Sequence, residues 1–367
     1  MRVLFLIILI ALVLVLIVLG CVVWQKRRHT GKTSRGSQIL RHSENPLIGP
    51  DKEEWRSQGT FNPAAVMDSK GRVHLLYRAV GGDGISRLSY ASSADGARID
   101  DLLPYPIFAM EDPKAANGTL AVRAFDPVMY PSGGSCGGAE DPRMVSIDGT
   151  IYVTFNAFDG WDYLRVGLTS MKEEDFFAKR FKWAKPELIS PKGQIHKNWV
   201  LFPEKINGKF AILHSITPTV LIDYVDRLED ITKGTKVIQS REGPPQGGRK
   251  NSWDNRVRSA GPPPIKTDRG WLVLYHAVDN KEPHKYKLGG MLLDLKDPTK
   301  VIARSPAPLL EPDMWYENDW KPGIVYACGA VVKKGELYVY YGGVDKHVCA
   351  ARAPLRELLD SMKKCSQ

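Results

Sequence analysis

The chain repeats one pattern five times: a strand-like run, a turn that contains glycine, and a second strand-like run. Apolar and polar residues alternate on both sides of each turn, which is typical of half-buried strands joined in a β-hairpin. The turn glycines are Gly71, Gly149, Gly208, Gly270 and Gly335. They recur at intervals of roughly 60 to 80 residues, longer than a solenoid unit and long enough for four short strands with their loops.

A third strand-like run follows each hairpin. These runs are 86–92, 164–170, 219–225, 287–294 and 347–352. Since no amphipathic helix separates the five units, the pattern predicts an all-β chain and favours a five-bladed β-propeller over a sheet of alternating strands and helices. A β-sandwich with coincidental spacing is the alternative. Residues 352–364 carry leucines at helical spacing and predict a short C-terminal helix on the outside of the propeller.

The second unit opens with the acidic stretch 137–145, in which Glu140 and Asp141 stand between small residues and Pro142. The glycines of this stretch leave room for a ligand near the backbone, and Pro142 fixes φ. Asp141 is therefore presented in one place, as a catalytic acid usually is. An ordinary acidic turn, with Glu140 paired to Arg143, is the alternative.

In a propeller, the loops that lead into the first strand of each unit line one mouth of the central channel. The corresponding dipeptides here are Asn62-Pro63, Asp141-Pro142, Phe202-Pro203, Gly261-Pro262 and Cys328-Gly329. These loops are expected to converge, so the acidic stretch is expected to lie at a pocket.

The beginning of the chain differs in composition from the rest. Residues 3–24 are uncharged and, at about 1.5 Å per residue, long enough to cross a hydrocarbon core of about 30 Å. Lys26, Arg27 and Arg28 follow directly, which favours an uncleaved transmembrane helix at 1–24 over a signal peptide. Lipoprotein processing at Cys21 is the lesser alternative.

Two further segments complete the predicted organisation. Residues 25–44, rich in Lys, Arg, Ser, Thr and Gly, are predicted to be a basic flexible linker, and residues 45–367 the propeller domain. The positive charges after the predicted helix favour a cytoplasmic catalytic domain. The N-terminal tail is short, so the orientation in the membrane stays open.

Charge and cysteine usage narrow the class of function. The formal net charge is +10, and the first 45 residues carry seven Lys or Arg against one Glu. The remainder is then only about +4, which removes most of the case for nucleic-acid binding. The five cysteines show neither paired spacing nor a Cys-x-x-Cys metal pattern, so free and mostly buried thiols are expected.

Several motifs occur in a fixed order along the chain. They are Phe61-Asn62-Pro63-Ala64, Leu76-Tyr77-Arg78-Ala79-Val80, Glu140-Asp141-Pro142-Arg143, Leu201-Phe202-Pro203-Glu204-Lys205-Ile206 and Tyr340-Tyr341-Gly342-Gly343-Val344-Asp345. Together they resemble the β-mannoside phosphorylases and related hydrolases of glycoside hydrolase family 130, from about residue 45 to about residue 359. The resemblance implies a five-bladed propeller with a pocket for a β-linked mannoside, and the β-1,4 linkage is expected.

The resemblance also implies a reaction. In inverting phosphorolysis, a glycosyltransferase-type step, inorganic phosphate attacks the anomeric carbon and α-mannose 1-phosphate is released, with no metal or other cofactor. Asp141 matches the general acid of the family. The phosphate ligands are matched by Arg165, Lys197 and His214, with Tyr224 as a fourth. The substrate-binding residues are matched by Asn62, Arg78, Glu140, Arg143 and Asp345.

Two departures from the family pattern bear on the leaving sugar. Ser215 stands where many phosphorylases have arginine, and the segment before Arg165 is longer than usual. Two other functions therefore stay open: a β-mannoside hydrolase of the same fold, with Glu140 or Asp159 assisting water, and a non-catalytic glycan-binding propeller. The expected partners are a β-mannoside oligosaccharide, phosphate and the membrane, but no nucleic acid, and a homo-oligomer is left open.

Overall fold

The computed structural model describes residues 39–110, 124–160, 164–233, 238, 248–321 and 323–365. The predicted transmembrane helix at 1–24 and the linker as far as residue 38 lie outside these residues. Within the ranges described, no helix has the length and apolar composition to span a bilayer.

Strands are the main regular secondary structure of the described chain and pair mostly in antiparallel fashion, so the predicted all-β class is confirmed. In chain order the strands are β1 (Leu40–Arg41), β2 (Gly59–Met67), β3 (Val73–Val80), β4 (Ile85–Ser93), β5 (Asp101–Leu102), β6 (Gly137–Ile147), β7 (Thr150–Phe158), β8 (Leu164–Lys172), β9 (Glu187–Leu188), β10 (Val200–Leu201), β11 (Phe210–Ser215), β12 (Leu221–Val225), β13 (Arg256–Ala260), β14 (Ile265–Thr267), β15 (Gly270–Asp279), β16 (Glu282–Leu293), β17 (Val301–Arg304), β18 (Val325–Lys333), β19 (Glu336–Gly343), β20 (His347–Pro354) and β21 (Lys363–Lys364). The short α-helices are α1 (Glu173–Phe177), α2 (Glu229–Thr232) and α3 (Leu355–Ser361). Single 3-10 turns lie at Glu54–Arg56 and Trp315–Glu317.

The strands form five units with three antiparallel strands at the centre of each. The units are β2-β3-β4, β6-β7-β8, β10-β11-β12, β13-β15-β16 and β18-β19-β20. All five turn glycines have positive φ, from 74° at Gly149 to 152° at Gly270. Residues with a side chain rarely adopt such values, which explains why glycine recurs at these turns.

Apolar clusters lie between consecutive units. Among the described residues there are five of them, joining the first unit to the second, the second to the third, the third to the fourth, the fourth to the fifth, and the fifth to the first. Each unit thus buries both faces of its sheet against neighbours. This packing is the one that the predicted five-bladed propeller requires.

The two ends of the described chain lie on different units: β1 lies on the fifth unit, and β21 pairs with β17 in the sheet of the fourth. β1 pairs with β20, the last strand of the fifth unit, through Leu40 and Arg352. Helix α3 buries Leu358 and Leu359 in the cluster between the fourth and fifth units, so the predicted C-terminal helix is confirmed. Cysteines 136, 328 and 349 are free and buried, and Cys365 is free and half-buried, as expected, while Cys21 lies outside the described residues.

The third unit differs from the prediction at its first strand. β10 covers only Val200–Leu201, and Phe202 is buried against Trp271, with 5.0 Å between ring centroids. Burial of two aromatic rings edge to face stabilises this arrangement more than a position at a wet channel mouth would. The Phe202-Pro203 loop therefore belongs to the core rather than to the point where the loops were expected to converge.

Gly329 tests the contact between the fifth and first units. A Cβ atom there would lie 2.6 Å from the Pro63 carbonyl oxygen, a backbone atom that cannot move aside cheaply. Gly329→Ala is expected to lower the free energy of unfolding by about 1 to 3 kcal/mol, measured by urea denaturation. Gly82→Ala is the matched control, since nothing lies within 4 Å of its added Cβ. Equal stability of the two variants would contradict this close contact.

Candidate active site

Two strands leave their regular pairing at the same point of successive units. β2 is bulged at Asn62-Pro63 and β6 at Asp141-Pro142. Asn62 and Asp141 have φ values of 49° and 48°, in the left-handed region that few residues other than glycine adopt. Such strain persists where the surroundings enforce it, and it is concentrated at functional sites. The two bulges bring the side chains together, with Asn62 Nδ2 donating to Asp141 Oδ1 at 2.7 Å.

Arg78 holds both carboxylates of the acidic stretch. Its side chain is fully buried, and its two terminal nitrogens donate to Asp141 Oδ1 at 3.0 Å and to Glu140 Oε1 at 2.7 Å. Its Nε donates to Ser86 Oγ at 2.8 Å, which fixes the plane of the guanidinium group. The alternative pairing of Glu140 with Arg143 is therefore wrong, because Arg78 takes that place.

Arg143 supports Asp141 through the backbone. Its Nη1 donates to the Asp141 carbonyl oxygen at 2.6 Å, and its Nε donates to the Gly261 carbonyl oxygen at 3.2 Å. Its Nη2 donates to the Tyr326 hydroxyl at 3.3 Å. Arg143 thus ties the second unit to the fourth and fifth units, and it lines neither of the two cavities described below.

The two neighbouring carboxyl groups have opposite pKa shifts. Burial raises the pKa of Glu140 to about 8, and the charge of Asp141 adds to this effect while Arg78 opposes it. Burial also tends to raise the pKa of Asp141. The charges of Arg78 and Arg143 and the hydrogen bond from Asn62 outweigh burial and hold this pKa below the ordinary value. Because groups this close titrate as a pair, the opposite shifts favour the shared proton on Glu140 rather than on Asp141.

A cavity of about 430 Å³ is lined by both carboxyl groups, a size that suits a small ligand. Its other polar side chains are Asn62, Ser132, Asn156, Lys197, His284, Tyr286, Lys321, Tyr326 and Asp345. Asp345 has a φ of 54° and forms an ion pair with Lys321. Lys321 also donates to the Pro131 carbonyl oxygen at 2.7 Å. We call this space the carboxylate cavity.

The third unit reaches the carboxylate cavity through an asparagine pair. Asn156 Nδ2 lies 3.5 Å from Asp141 Oδ2 and donates to Asn198 Oδ1 at 3.1 Å. The backbone N–H of Asn198 donates back to Asn156 Oδ1 at 2.9 Å. Asn198, with a φ of 64°, thus provides the contact that was expected from Phe202. In the sequence, the only sign of this contact was a polar asparagine, Asn198, next to Lys197.

A second cavity of about 250 Å³ adjoins the first, and the two share Lys197, Tyr286 and Tyr326 as lining residues. Arg258 also lines it, and because Lys197 and Arg258 are cations we call it the cationic cavity. His214 forms part of the same wall, and burial lowers its pKa. Lys197 keeps accessible surface because it borders both cavities, although burial by the surrounding protein lowers its pKa. His214 Nε2 lies 3.1 Å from Asp223 Oδ2, and its Nδ1 has no hydrogen-bond partner in the described structure.

Two residues matched to phosphate ligands lie elsewhere. Arg165 donates from Nε to the Ser190 carbonyl oxygen at 2.9 Å and from Nη2 to the Leu188 carbonyl oxygen at 3.0 Å. Tyr224 packs against the apolar cluster between the third and fourth units. Neither residue lines the carboxylate cavity or the cationic cavity. The structure therefore brings Asn62, Glu140, Asp141 and Asp345 together around Lys197, with His214 beyond it.

Comparisons with known proteins identify the family of the chain. The family model described as beta-1,4-mannooligosaccharide phosphorylase matches residues 43–364. The chain is 33% identical over 332 residues to the 1,2-beta-oligomannan phosphorylase of Thermoanaerobacter sp. (strain X514), covering 88% of this chain and 99% of that protein. It is 26% identical over 336 residues to the beta-1,4-mannooligosaccharide phosphorylase of Ruminococcus albus, covering 89% and 92%.

A solved structure shows the same fold. The beta-1,2-mannobiose phosphorylase of Listeria innocua superposes with a TM-score of 0.64 at 24% identity, over 88% of this chain and 98% of that one. The family model spans every residue that builds the two cavities, and the Thermoanaerobacter protein is similar over almost its whole length. The chain belongs to glycoside hydrolase family 130.

Proposed function

We propose that this protein is a five-bladed propeller enzyme that cleaves β-mannosides by phosphorolysis. The observation that carries the proposal is the junction of the two cavities: acidic groups line one, cationic groups line the other, and Lys197 borders both. A sugar in the carboxylate cavity and a phosphate in the cationic cavity would meet beside Lys197. The curated relatives of both linkage types are phosphorylases, which supports the same reaction.

The bond changes follow from this arrangement. A phosphate oxygen attacks the anomeric carbon from the face opposite the leaving oxygen, so that a β-mannoside gives α-mannose 1-phosphate. The bond from that carbon to the leaving oxygen breaks, and a proton passes to this oxygen from Asp141, either directly or through a hydroxyl of the bound sugar. Phosphate already carries negative charge, so no second carboxylate is needed to activate the nucleophile.

The proton for this step is held by the pair of carboxyl groups that Arg78 bridges. In the empty site the pKa shifts favour Glu140 as the protonated member. Phosphate bound beside Lys197 would offset the positive charge that acts on Asp141 and would raise its proton affinity. The proton would then move to Asp141, which Asn62 holds against the carboxylate cavity.

Hydrolysis is the second candidate, and the geometry gives it less support. An inverting hydrolase needs a general base about 6.5 to 9.5 Å from the acid, with room for water between them. Glu140 shares one guanidinium group with Asp141, and its raised pKa keeps it protonated at neutral pH, so it is a poor base. Asp159 is buried and lines neither cavity.

The third alternative, a protein that only binds glycans, would not need an acid with strained backbone such as Asp141 at this point.

We propose β-1,2-linked mannobiose as the first substrate to test. The relative named for β-1,2 linkages is 33% identical to this chain, against 26% for the relative named for β-1,4 linkages. The β-1,4 linkage expected from the sequence is the alternative.

We also propose that residues 1–24 anchor the protein in the membrane and that the catalytic domain lies on the cytoplasmic side. An enzyme that consumes phosphate and produces a sugar phosphate is useful to metabolism on that side.

The reaction is tested by incubating the full-length protein with β-1,2- or β-1,4-mannobiose, with and without phosphate, and measuring mannose 1-phosphate and free mannose. We expect mannose 1-phosphate to form only with phosphate. Asp141→Asn should lower kcat by about 100- to 10,000-fold, because the acid is lost. Asp148→Asn, in the exposed turn of the same β6-β7 hairpin, is the matched control and should leave kcat unchanged. Free mannose released at the same rate without phosphate would instead establish a hydrolase.

A pH profile tests the role of Glu140. Its pKa is raised to about 8, so the pair keeps its proton below this pH and loses it above. At saturating phosphate, kcat/KM for the mannoside is expected to fall as the pH rises through about 8. Glu140→Gln should remove this alkaline limb, because the amide does not titrate. An alkaline limb that persists unchanged in Glu140→Gln would assign the titration to another group.

The membrane proposal has a separate test. The full-length protein is expected in the membrane fraction of cells and should resist extraction by high salt, because residues 3–24 are apolar. Removal of residues 1–38 should transfer it to the supernatant. A full-length protein that salt extracts completely would show that residues 26–28 bind the membrane only through charge, without a spanning helix.

A further inference from the structure

We propose that Lys321 is a positioning residue. It holds the carboxylate of Asp345 in the wall of the carboxylate cavity, where Asp345 accepts a hydrogen bond from a hydroxyl group of the bound mannoside. This inference rests on the proposed function and deepens it. It assigns a role to a lysine that the motifs of the sequence did not indicate.

The turn that carries Asp345 has an unfavourable backbone conformation. It joins β19 to β20, and the Lys346 N–H donates to the Gly343 carbonyl oxygen at 3.0 Å. Both central residues have positive φ, 50° at Val344 and 54° at Asp345. Turns of this kind favour asparagine, aspartate and glycine, and a β-branched valine is costly there. Contacts from outside the turn are therefore needed to maintain its shape.

The segment 320–321 supplies such contacts. Trp320 Nε1 donates to the Val344 carbonyl oxygen at 2.8 Å, and Lys321 Nζ donates to Asp345 Oδ2. Lys321 Nζ also lies 4.6 Å from the centroid of the Trp320 ring, a cation–π contact that restricts where the ammonium group lies. In the part of the chain that the structure describes, Lys321 is the only hydrogen-bond donor to the Asp345 carboxylate. The orientation of this carboxylate therefore depends on one side chain.

Lys321 also links Asp345 to the side of the cavity that holds the proposed acid. Its Nζ donates to the Pro131 carbonyl oxygen at 2.7 Å. The next carbonyl oxygen along the chain, that of Ser132, accepts a hydrogen bond from Arg78 at 2.9 Å. Arg78 is the guanidinium group that bridges the two carboxyl groups of the acidic stretch. The segment 131–132 thus joins the cation that holds Asp345 to the cation that holds the acid.

The geometry of the ion pair leaves Asp345 able to bind a sugar. The side chains of Lys321 and Asp345 are 17% and 11% exposed, and both line the carboxylate cavity. A carboxylate accepts hydrogen bonds at both oxygens, and Lys321 donates to Oδ2. Among the residues described, no side chain or backbone N–H donates to Oδ1. One oxygen is therefore held in place, and the other is available to a sugar hydroxyl.

The experiment compares Lys321→Met, Lys321→Arg and Asp345→Asn in the full-length protein. Lys346→Met is the matched control, because Lys346 Nζ donates to Asp319 Oδ2 at 2.7 Å next to the same turn but lines neither cavity. Initial rates are measured against β-1,2- and β-1,4-mannobiose at saturating phosphate, and against phosphate at saturating mannobiose. Binding of each mannobiose without phosphate is measured by isothermal titration calorimetry.

We expect Lys321→Met to raise the KM and the Kd for mannobiose by about tenfold or more, because the charged hydrogen bond that orients Asp345 is lost. The KM for phosphate should change by less than about twofold, since phosphate is expected in the other cavity. Lys321→Arg should restore part of the affinity for mannobiose, because a guanidinium group can also pair with a carboxylate. Lys346→Met should match the parent protein in all measurements.

A double variant separates positioning from direct contact with the sugar. If Lys321 acts through Asp345, adding Lys321→Met to Asp345→Asn should change the KM and the Kd for mannobiose by less than about twofold. A further increase as large as that in the parent protein would show that Lys321 acts independently of Asp345 and would overturn the inference.

The remaining outcomes separate this inference from the proposed function. If the parent protein shows phosphate-dependent turnover and Lys321→Met leaves both constants for mannobiose unchanged, Lys321 does not position Asp345, although phosphorolysis stands. If the parent shows no phosphate-dependent turnover, phosphorolysis fails and calorimetry decides on Lys321: weaker binding of mannobiose by Lys321→Met supports the inference, and unchanged or absent binding overturns it. If Lys321→Met does not fold, the KM for mannobiose of Lys321→Arg decides, and an unchanged value overturns the inference.

Discussion

The candidate site depends on one buried guanidinium group, that of Arg78. Glu140 and Asp141 are both buried, and two adjacent carboxylates without a cation would repel each other and lose most of their hydration. Arg78 donates to both and is itself held by Ser86, so it joins the first unit to the second at the point of the chemistry. Burial and the charge of Asp141 raise the pKa of Glu140, while Arg78 helps to hold that of Asp141 low, so the proton is favoured on Glu140 and the charge on Asp141. That combination fits the proposed reaction, in which an acid acts beside an anionic nucleophile.

The rest of the fold positions this pair. Five apolar clusters join each unit to the next, and the last unit to the first, so the first strands of the units are held around one region. Regular pairing alone would bury their side chains in these clusters. Several groups of the candidate site instead come from irregular positions: Asn62, Asp141, Asn198 and Asp345 all have positive φ, and Arg258 is the extra residue of a bulge. Arg78 and Glu140 keep regular pairing, so the site combines regular and irregular positions.

The two cavities have different roles in the proposed reaction. The carboxylate cavity offers a proton donor and hydrogen-bonding groups to a sugar, and the cationic cavity offers uncompensated positive charge to phosphate. Their junction at Lys197 brings the nucleophile and the acid to the same bond. In the proposed reaction phosphate rather than water is the nucleophile, because Glu140, whose pKa is raised to about 8, is a poor base for water at neutral pH.

Alternation and turn glycines in the sequence were enough to predict the all-β class and the five hairpins, and leucines at helical spacing predicted the C-terminal helix. These features depend on local periodicity and on backbone angles that glycine adopts easily. The Gly-Gly-Ala-Glu-Asp-Pro motif likewise identified Asp141, since the constraints on its backbone are local. Only the tertiary structure decided that Phe202 packs in the core while Asn198 reaches the site, that Arg165 is occupied by carbonyl oxygens, and that Arg258 faces the cationic cavity. The direction of a side chain at a bulge is set by its cross-strand partners and by packing between units, and those contacts join residues far apart in the sequence.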